Sequence, residues 1–127
     1  MGDKIVSHHD LEVYRKGFQT AMRIFQRSKQ FPKEEVYSLT NQMRRSSRSV
    51  CANISEAWQK RRYAAAFVSK LNDAETEGAE TQVWLEMAVA CGYLGADEGR
   101  DLYTAYNEVL SMLVHMINHP QDWVIGQ

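Results

Sequence analysis

Six cations, Arg44, Arg45, Arg48, Lys60, Arg61 and Arg62, stand between positions 44 and 62 against a single acid, Glu56. Arginine presents its donors as a planar fork that matches the edge of a phosphate or a carboxylate. This stretch is therefore where the chain would hold a polyanion. At about 100° of turn per residue, Arg44, Arg45 and Arg48 fall beside and opposite an apolar seam and project outward, with Asn41, Ser55 and Gln59 on the same side. A face that neutralises several phosphates releases their counterions, so its affinity would fall steeply with salt. The competing reading is a set of ion pairs with acids elsewhere in the chain, and the sequence leaves the two open.

The acids are available for that. Residues 1–70 carry a balance of +8 and residues 71–127 a balance of −9, giving −1 in all. A chain divided this way pairs its halves within the fold, pairs them between subunits, or shows a basic face to a polyanion. Asp73, Glu75, Glu77, Glu80 and Glu86 crowd one segment. Two inward carboxylates would make an acid–base pair, but a helical charge run is more readily a solvated face or a partner for the arginines.

Other chemistry is not signalled. A carboxylate-bridged metal pair in a bundle wants Glu-x-x-His on two helices, and none occurs. His115 is the one histidine inside a helix body, and a lone histidine there reads as structural. There is no phosphate loop, nucleophile elbow or Cys-x-x-Cys. The expectation is a non-enzyme with no catalytic residue, no metal and no cofactor. Cys51 and Cys91 read as buried free thiols of a reducing compartment, which places the protein in the cytoplasm. Met1 to Asp10 holds no apolar leader core, and no apolar run is long enough to span a bilayer, so no membrane association is expected.

Four helical segments must position these groups. The first spans about 10–29 with Leu11, Tyr14, Phe18, Met22 and Phe25 at three- and four-residue spacing, and Ser7 with Asp10 offers a capping box. Pro32 opens the second, about 33–60, whose seam is Val36, Leu39, Met43, Ser47, Val50, Ile54 and Ala57. Small Ser46, Ser47 and Ala57 permit close approach of another helix. The third, about 63–91, repeats Tyr63, Phe67, Leu71, Ala74, Gly78, Thr81, Leu85 and Ala88, near a heptad seam. Gly92 to Gly95 makes a turn. The fourth, about 97–118, turns Leu102, Tyr106, Val109, Leu113 and Met116 inward and ends before Pro120, leaving a tail over 119–127. Short connections make neighbours antiparallel. The prediction is one all-α domain over 1–127, an antiparallel up-down-up-down four-helix bundle. Trp58, Trp84, Trp123 and Tyr93 are many large aromatics for a slim bundle; Trp58, Trp84 and Tyr93 are read as anchors of a subunit interface, the alternative being that such residues cap the bundle ends as core.

Three stretches carry a resemblance covering about Leu11 to Ile117. They are Phe31-Pro32-Lys33-Glu34-Glu35 leading to Leu39; Gln42-Met43-Arg44-Arg45-Ser46 through Ser49-Val50 to Asn53-Ile54-Ser55-Glu56-Ala57; and Glu80-Thr81-Gln82-Val83-Trp84 through Gly92-Tyr93-Leu94. The chain resembles the bacterial four-helix-bundle family that includes proteins encoded in 23S rRNA intervening sequences, distantly related to the accessory variability determinants of diversity-generating retroelements. The resemblance implies a ring-forming bundle, a homopentamer, with a nucleic-acid-binding or adaptor role and no enzymatic activity. By position, Arg44, Arg45, Asn53 and Glu56 match the polar residues of the family's second helix. The chain departs from the pattern at Ala57, where the family often has Gly, and at Ala74-Glu75, where it often has Gly-Ser. The expected partners are further copies of the chain and RNA or DNA; the alternative is a scaffold that binds another protein and no nucleic acid.

Overall fold

The computed structural model describes residues 4–125 and contains four α-helices: α1 (Glu12–Ser28), α2 (Leu39–Gln59), α3 (Ala64–Ala90) and α4 (Ala96–Asn118). Among the described residues there is no strand. Each helix packs on its two neighbours in the order α1-α2-α3-α4-α1, and the backbones of the diagonal pairs stay farther apart. The result is the expected up-and-down four-helix bundle.

The core follows the seams of α2, α3 and α4. Met43, Val50 and Ile54 of α2, Phe67, Leu71 and Leu85 of α3, and Leu102, Tyr106 and Leu113 of α4 are all buried. Ser46, Ser47 and Ala57 of α2 and Ala74 and Gly78 of α3 are buried small residues. Gly78 makes room for Leu110 of α4, whose Cδ2 stands 3.0 Å from where a Cβ would lie, and Ser46 lies where α2 meets α3. There Thr81 and Ser46 share a hydrogen bond between hydroxyls at 2.8 Å, so the polar atoms at this close approach are satisfied. At the end of α3, Gly92 takes φ +77°. Its N–H donates to Val89 O and that of Tyr93 to Ala88 O, the two bonds of a Schellman cap, which needs a residue that tolerates the left-handed region.

Three expectations about the amino-terminal half are corrected. The first is the inward face of α1. Phe18 and Met22 are 49% and 42% exposed, whereas Val13, Gly17, Thr20, Ala21, Ile24 and Ser28 face the core. The reason is the close approach of α1 to α2. A Cβ on Gly17 would lie 3.6 Å from Cys51 Sγ and 3.7 Å from Val50 Cγ1, a gap that small residues fill and large aromatics do not. The second is the start of α2. A 3₁₀ turn occupies Lys33–Glu35, and the helix begins only at Leu39. Glu35 ends that turn with its carboxylate accepting from the Leu39 N–H at 3.3 Å, acting as a remote cap. Val36 is consequently outside the helix and exposed. The Ser7–Asp10 pair also acts one element early. Asp10 Oδ2 accepts from the N–H groups of Val6 and Ser7, at 2.8 and 3.1 Å, and closes a 3₁₀ turn over His8–Asp10.

Neither thiol is as buried as expected. Cys51 is half-buried, and that burial pushes its thiol up to about 11. Cys91 is exposed at the end of α3, because the turn that follows carries it off the core. Since the thiolate is the nucleophile, iodoacetamide at neutral pH is expected to modify Cys91 and spare Cys51 in the folded protein. Intact mass should show one adduct in native buffer and two in denaturant; rapid addition of two in native buffer would mean that α2 does not shield Cys51.

Candidate nucleic-acid interface

The six cations divide into two groups. Arg44, Arg45 and Arg48 lie in the first half of α2; Lys60, Arg61 and Arg62 form its end and the turn into α3. Twelve residues of helix, about 18 Å of rise, separate Arg48 from Lys60, so the fold does not join them into one patch.

Arg45 is taken by the chain's own acids. It pairs with Glu80 and lies 3.5 Å from Glu77 Oε1, both on α3. Trp84 Nε1 donates to the same Glu80 carboxylate at 3.3 Å. Arg44 and Arg48 are not so used: among the described residues neither has a carboxylate within ion-pair distance. Arg44 Nε donates to Ser28 Oγ at 2.8 Å. Its guanidinium carbon sits 4.9 Å from the centre of the Phe25 ring, and that of Arg48 sits 5.8 Å away. Lys29 Nζ approaches the same ring at 4.8 Å. Each such contact contributes about 0.5–1 kcal/mol at an exposed position, enough to orient the cations and too little to neutralise them. Phe25 stands in the expected seam of the first helix and is instead half-buried under these cations. Lys29, the C-cap residue of α1, was not singled out, and its four-residue spacing from Phe25 is the signal that makes them neighbours.

At the far end of α2, Arg61 is partly structural. Its guanidinium lies 3.4 Å from the Trp58 ring centre and its Nε donates to Trp58 O at 2.9 Å. Its own carbonyl accepts from the Ile125 N–H. Lys60 and Arg62 are exposed, and together with Trp58 and Tyr63 they line a hollow of about 470 Å³. Asn53 donates to Ser49 O and Ser49 Oγ within α2. Glu56 pairs with Lys70 of α3 at 2.8 Å, an arrangement that holds its carboxyl below the usual range. The matched polar pair of α2 thus makes contacts within the chain.

The aromatic anchors expected at a subunit interface are occupied internally. Trp58 is 6% exposed and belongs to the core, because the short α2–α3 turn folds Arg61 over its outer side. Trp84 and Tyr93 are half-buried against the core. Tyr93 packs at a tilt against Phe31 and donates to Glu35 Oε2 at 2.8 Å. That bond, with the Leu39 N–H, holds the Glu35 carboxyl below its ordinary range, while Tyr93 is pushed up to about 12. A lowered carboxyl contributes stability above its unfolded pKa and loses it as pH falls through the folded value. Tyr93→Phe is therefore expected to lower the melting temperature near neutral pH. The gap from the parent should close as pH drops below the normal carboxylate range; a gap that is constant with pH would contradict this role for the pair.

The acids and histidines show no gathering of ligands: among the described residues no group of three or more His, Cys, Asp or Glu side chains is placed to hold a metal ion. His115 is exposed on α4 and stacks on His119. No helix in the described residues is long and apolar enough to cross a membrane.

The family model for the 23S rRNA-intervening sequence protein matches residues 9–115. The chain belongs to the 23S rRNA-intervening sequence protein family. Its fold is shared with a crystal structure of a protein with unknown function from the S23 ribosomal protein family of Bacteroides thetaiotaomicron VPI-5482. That protein is 30% identical, with a TM-score of 0.75, over 84% of this chain and 95% of the other. No curated protein matches the chain. The region matched to the intervening-sequence family contains all four helices apart from the last residues of α4, and with them every cation of the two basic groups.

Proposed function

We propose that this intervening-sequence family protein is a non-enzymatic module that binds the phosphate backbone of RNA or DNA through the α1–α2 face bearing Arg44 and Arg48. The observation that carries the reading is the difference between neighbours on one helix. Arg45 is held by Glu77 and Glu80, whereas Arg44 and Arg48 meet an aromatic ring and no acid. Cations without internal partners attract a polyanion, and an adjacent ring orients them without using up their charge.

The test is anisotropy of labelled RNA and DNA oligonucleotides over a salt series. With about four cations engaged, affinity is expected to fall by about a hundredfold between 50 and 200 mM salt. Absence of binding at the lowest salt would overturn the proposal.

A second reading, an adaptor that acts through self-association or a protein partner, draws support from Phe18 and Met22. These two residues, one turn apart on α1, stay exposed beside Gln19 and Arg23. We propose that the bundle assembles as a homo-oligomer, with five copies in the ring that the family resemblance implies. Light scattering that gives the monomer mass at all concentrations would contradict assembly.

A further inference from the structure

Where the α1–α2 connection meets the start of α2, a hollow of about 290 Å³ is lined by Ser28, Lys29, Lys33, Thr40 and Arg44, with apolar walls from Phe31, Pro32 and Val36. Three of the lining residues are cations and none is an acid. Thr40 is 4% exposed, and its hydroxyl has no hydrogen-bond partner. Buried hydroxyls are almost always paired, so an orphan beside three cations points to a ligand that supplies acceptors. Ser28 is also buried. Its hydroxyl donates to Phe25 O and accepts from Arg44 Nε, which fixes one edge of the Arg44 fork and leaves its terminal nitrogens without an acid. The hollow lies beside the first turn of a 21-residue helix, whose partial positive charge favours an anion. Glu35 is turned elsewhere, held by Tyr93 and the Leu39 N–H, and neither it nor Glu34 lines the hollow.

We infer that this hollow is a phosphate subsite that takes a phosphomonoester dianion, with Arg44, Lys29 and Lys33 as cationic donors and the Thr40 hydroxyl as a neutral one. In part this rests on the nucleic-acid reading: the subsite would seat a terminal phosphate of a strand whose backbone runs on toward Arg48. Free phosphate shares the same chemistry, and the experiment separates the two sources.

The measurement is a proton–nitrogen NMR titration with inorganic phosphate to about 50 mM at constant ionic strength, a range chosen because surface charge effects are screened alike throughout. The Thr40 amide and the Arg44 side-chain Nε–H should shift saturably. Arg44→Gln should weaken binding by about tenfold or more, as loss of a charge-assisted bond does, and Thr40→Val by about fivefold, as loss of a neutral one does. Thr40→Val removes an unpaired buried hydroxyl, so the variant should keep or raise its melting temperature without phosphate while losing the stabilisation that phosphate gives the parent.

No saturable shift, or shifts unaltered in both variants, overturns the subsite, and oligonucleotide binding that survives in that case leaves the nucleic-acid reading standing. A strand with a 5′-phosphate that outcompetes its 5′-hydroxyl form, in the parent and not in Thr40→Val, supports the subsite at a strand end. Saturable phosphate binding with no such preference keeps the subsite for free phosphate and overturns its place in the nucleic-acid reading.

Discussion

Replacing Arg44 and Arg48 together with Glu is expected to weaken RNA or DNA binding by about a hundredfold or more at low salt, since each charge-assisted hydrogen bond contributes about 1.5–3 kcal/mol. Reversal also places two carboxylates where phosphates would approach, which adds repulsion to the loss of donors. The slope of affinity against salt should flatten, because fewer counterions are released on binding. The fold should survive, since neither arginine satisfies a buried acid. Arg45→Gln is the contrasting change. It frees Glu77 and Glu80 of their partner, and since all three side chains are partly exposed, the effect on stability is within about 1 kcal/mol. Its effect on nucleic-acid affinity should be small. Equal losses from the Arg44/Arg48 pair and from Arg45 would mean that general charge, and no particular face, governs binding.

The largest stability effect is expected from Phe67→Ala. Phe67 is 1% exposed and stands near the start of α3, packed in the core shared with α2 and α4. Removing a buried aromatic ring costs about 3–5 kcal/mol, through lost transfer energy and the cavity left behind. Against a total of about 5–15 kcal/mol for a domain, that is a large fraction, and the melting temperature should fall by about 10–20 °C. Phe18→Ala, on the exposed face of α1, should change monomer stability by no more than about 0.5 kcal/mol. Any larger effect of Phe18→Ala that depends on protein concentration would report its role in self-assembly. Chemical denaturation of both variants checks the ranking, and a Phe67→Ala loss no greater than that of Phe18→Ala would contradict the packing of α3.

The seams of α2, α3 and α4 were legible because each helix has one dominant apolar stripe. Leu39 to Ala57, Phe67 to Ala88, and Leu102 to Met116 all lie buried where their spacing places them, whereas Tyr63, expected at the head of the α3 seam, is the N-cap residue in the turn after α2 and is exposed. Helix α1 carries two candidate stripes. The stripe with larger side chains, Phe18 and Met22, faces outward, and the smaller one around Gly17 and Ala21 packs. Hydrophobicity alone favours the larger stripe; closeness of backbone approach decides for the smaller, and that quantity is not written in the spacing of one helix. The start of α2 was misplaced for a related reason. Pro32 and the acids after it fit a helical first turn, but Glu35 is drawn into a bond with Tyr93, fifty-eight residues away, and such a contact is invisible to local pattern.

Of the candidate site, the basic composition of α2 was legible and its partition was not. Arg44, Arg45 and Arg48 share a residue type and nearly a face, yet their fates differ through what α1 and α3 place opposite them: Phe25, with Lys29 beside it, on one side, and Glu77 and Glu80 on the other. Trp58 shows the converse. Its size favoured an exposed anchor, but the turn after α2 buries it beneath Arg61.

The side-chain Nε–H resonances of the α2 arginines, followed by NMR as a short oligonucleotide is added in low salt, test directly whether the cations without acids are the ones that meet phosphate. Signals of Arg44 and Arg48 should move with a common saturation curve while that of Arg45 stays in place. Movement of Arg45 with Arg44 and Arg48 unmoved, or no movement of any of the three, would contradict the account.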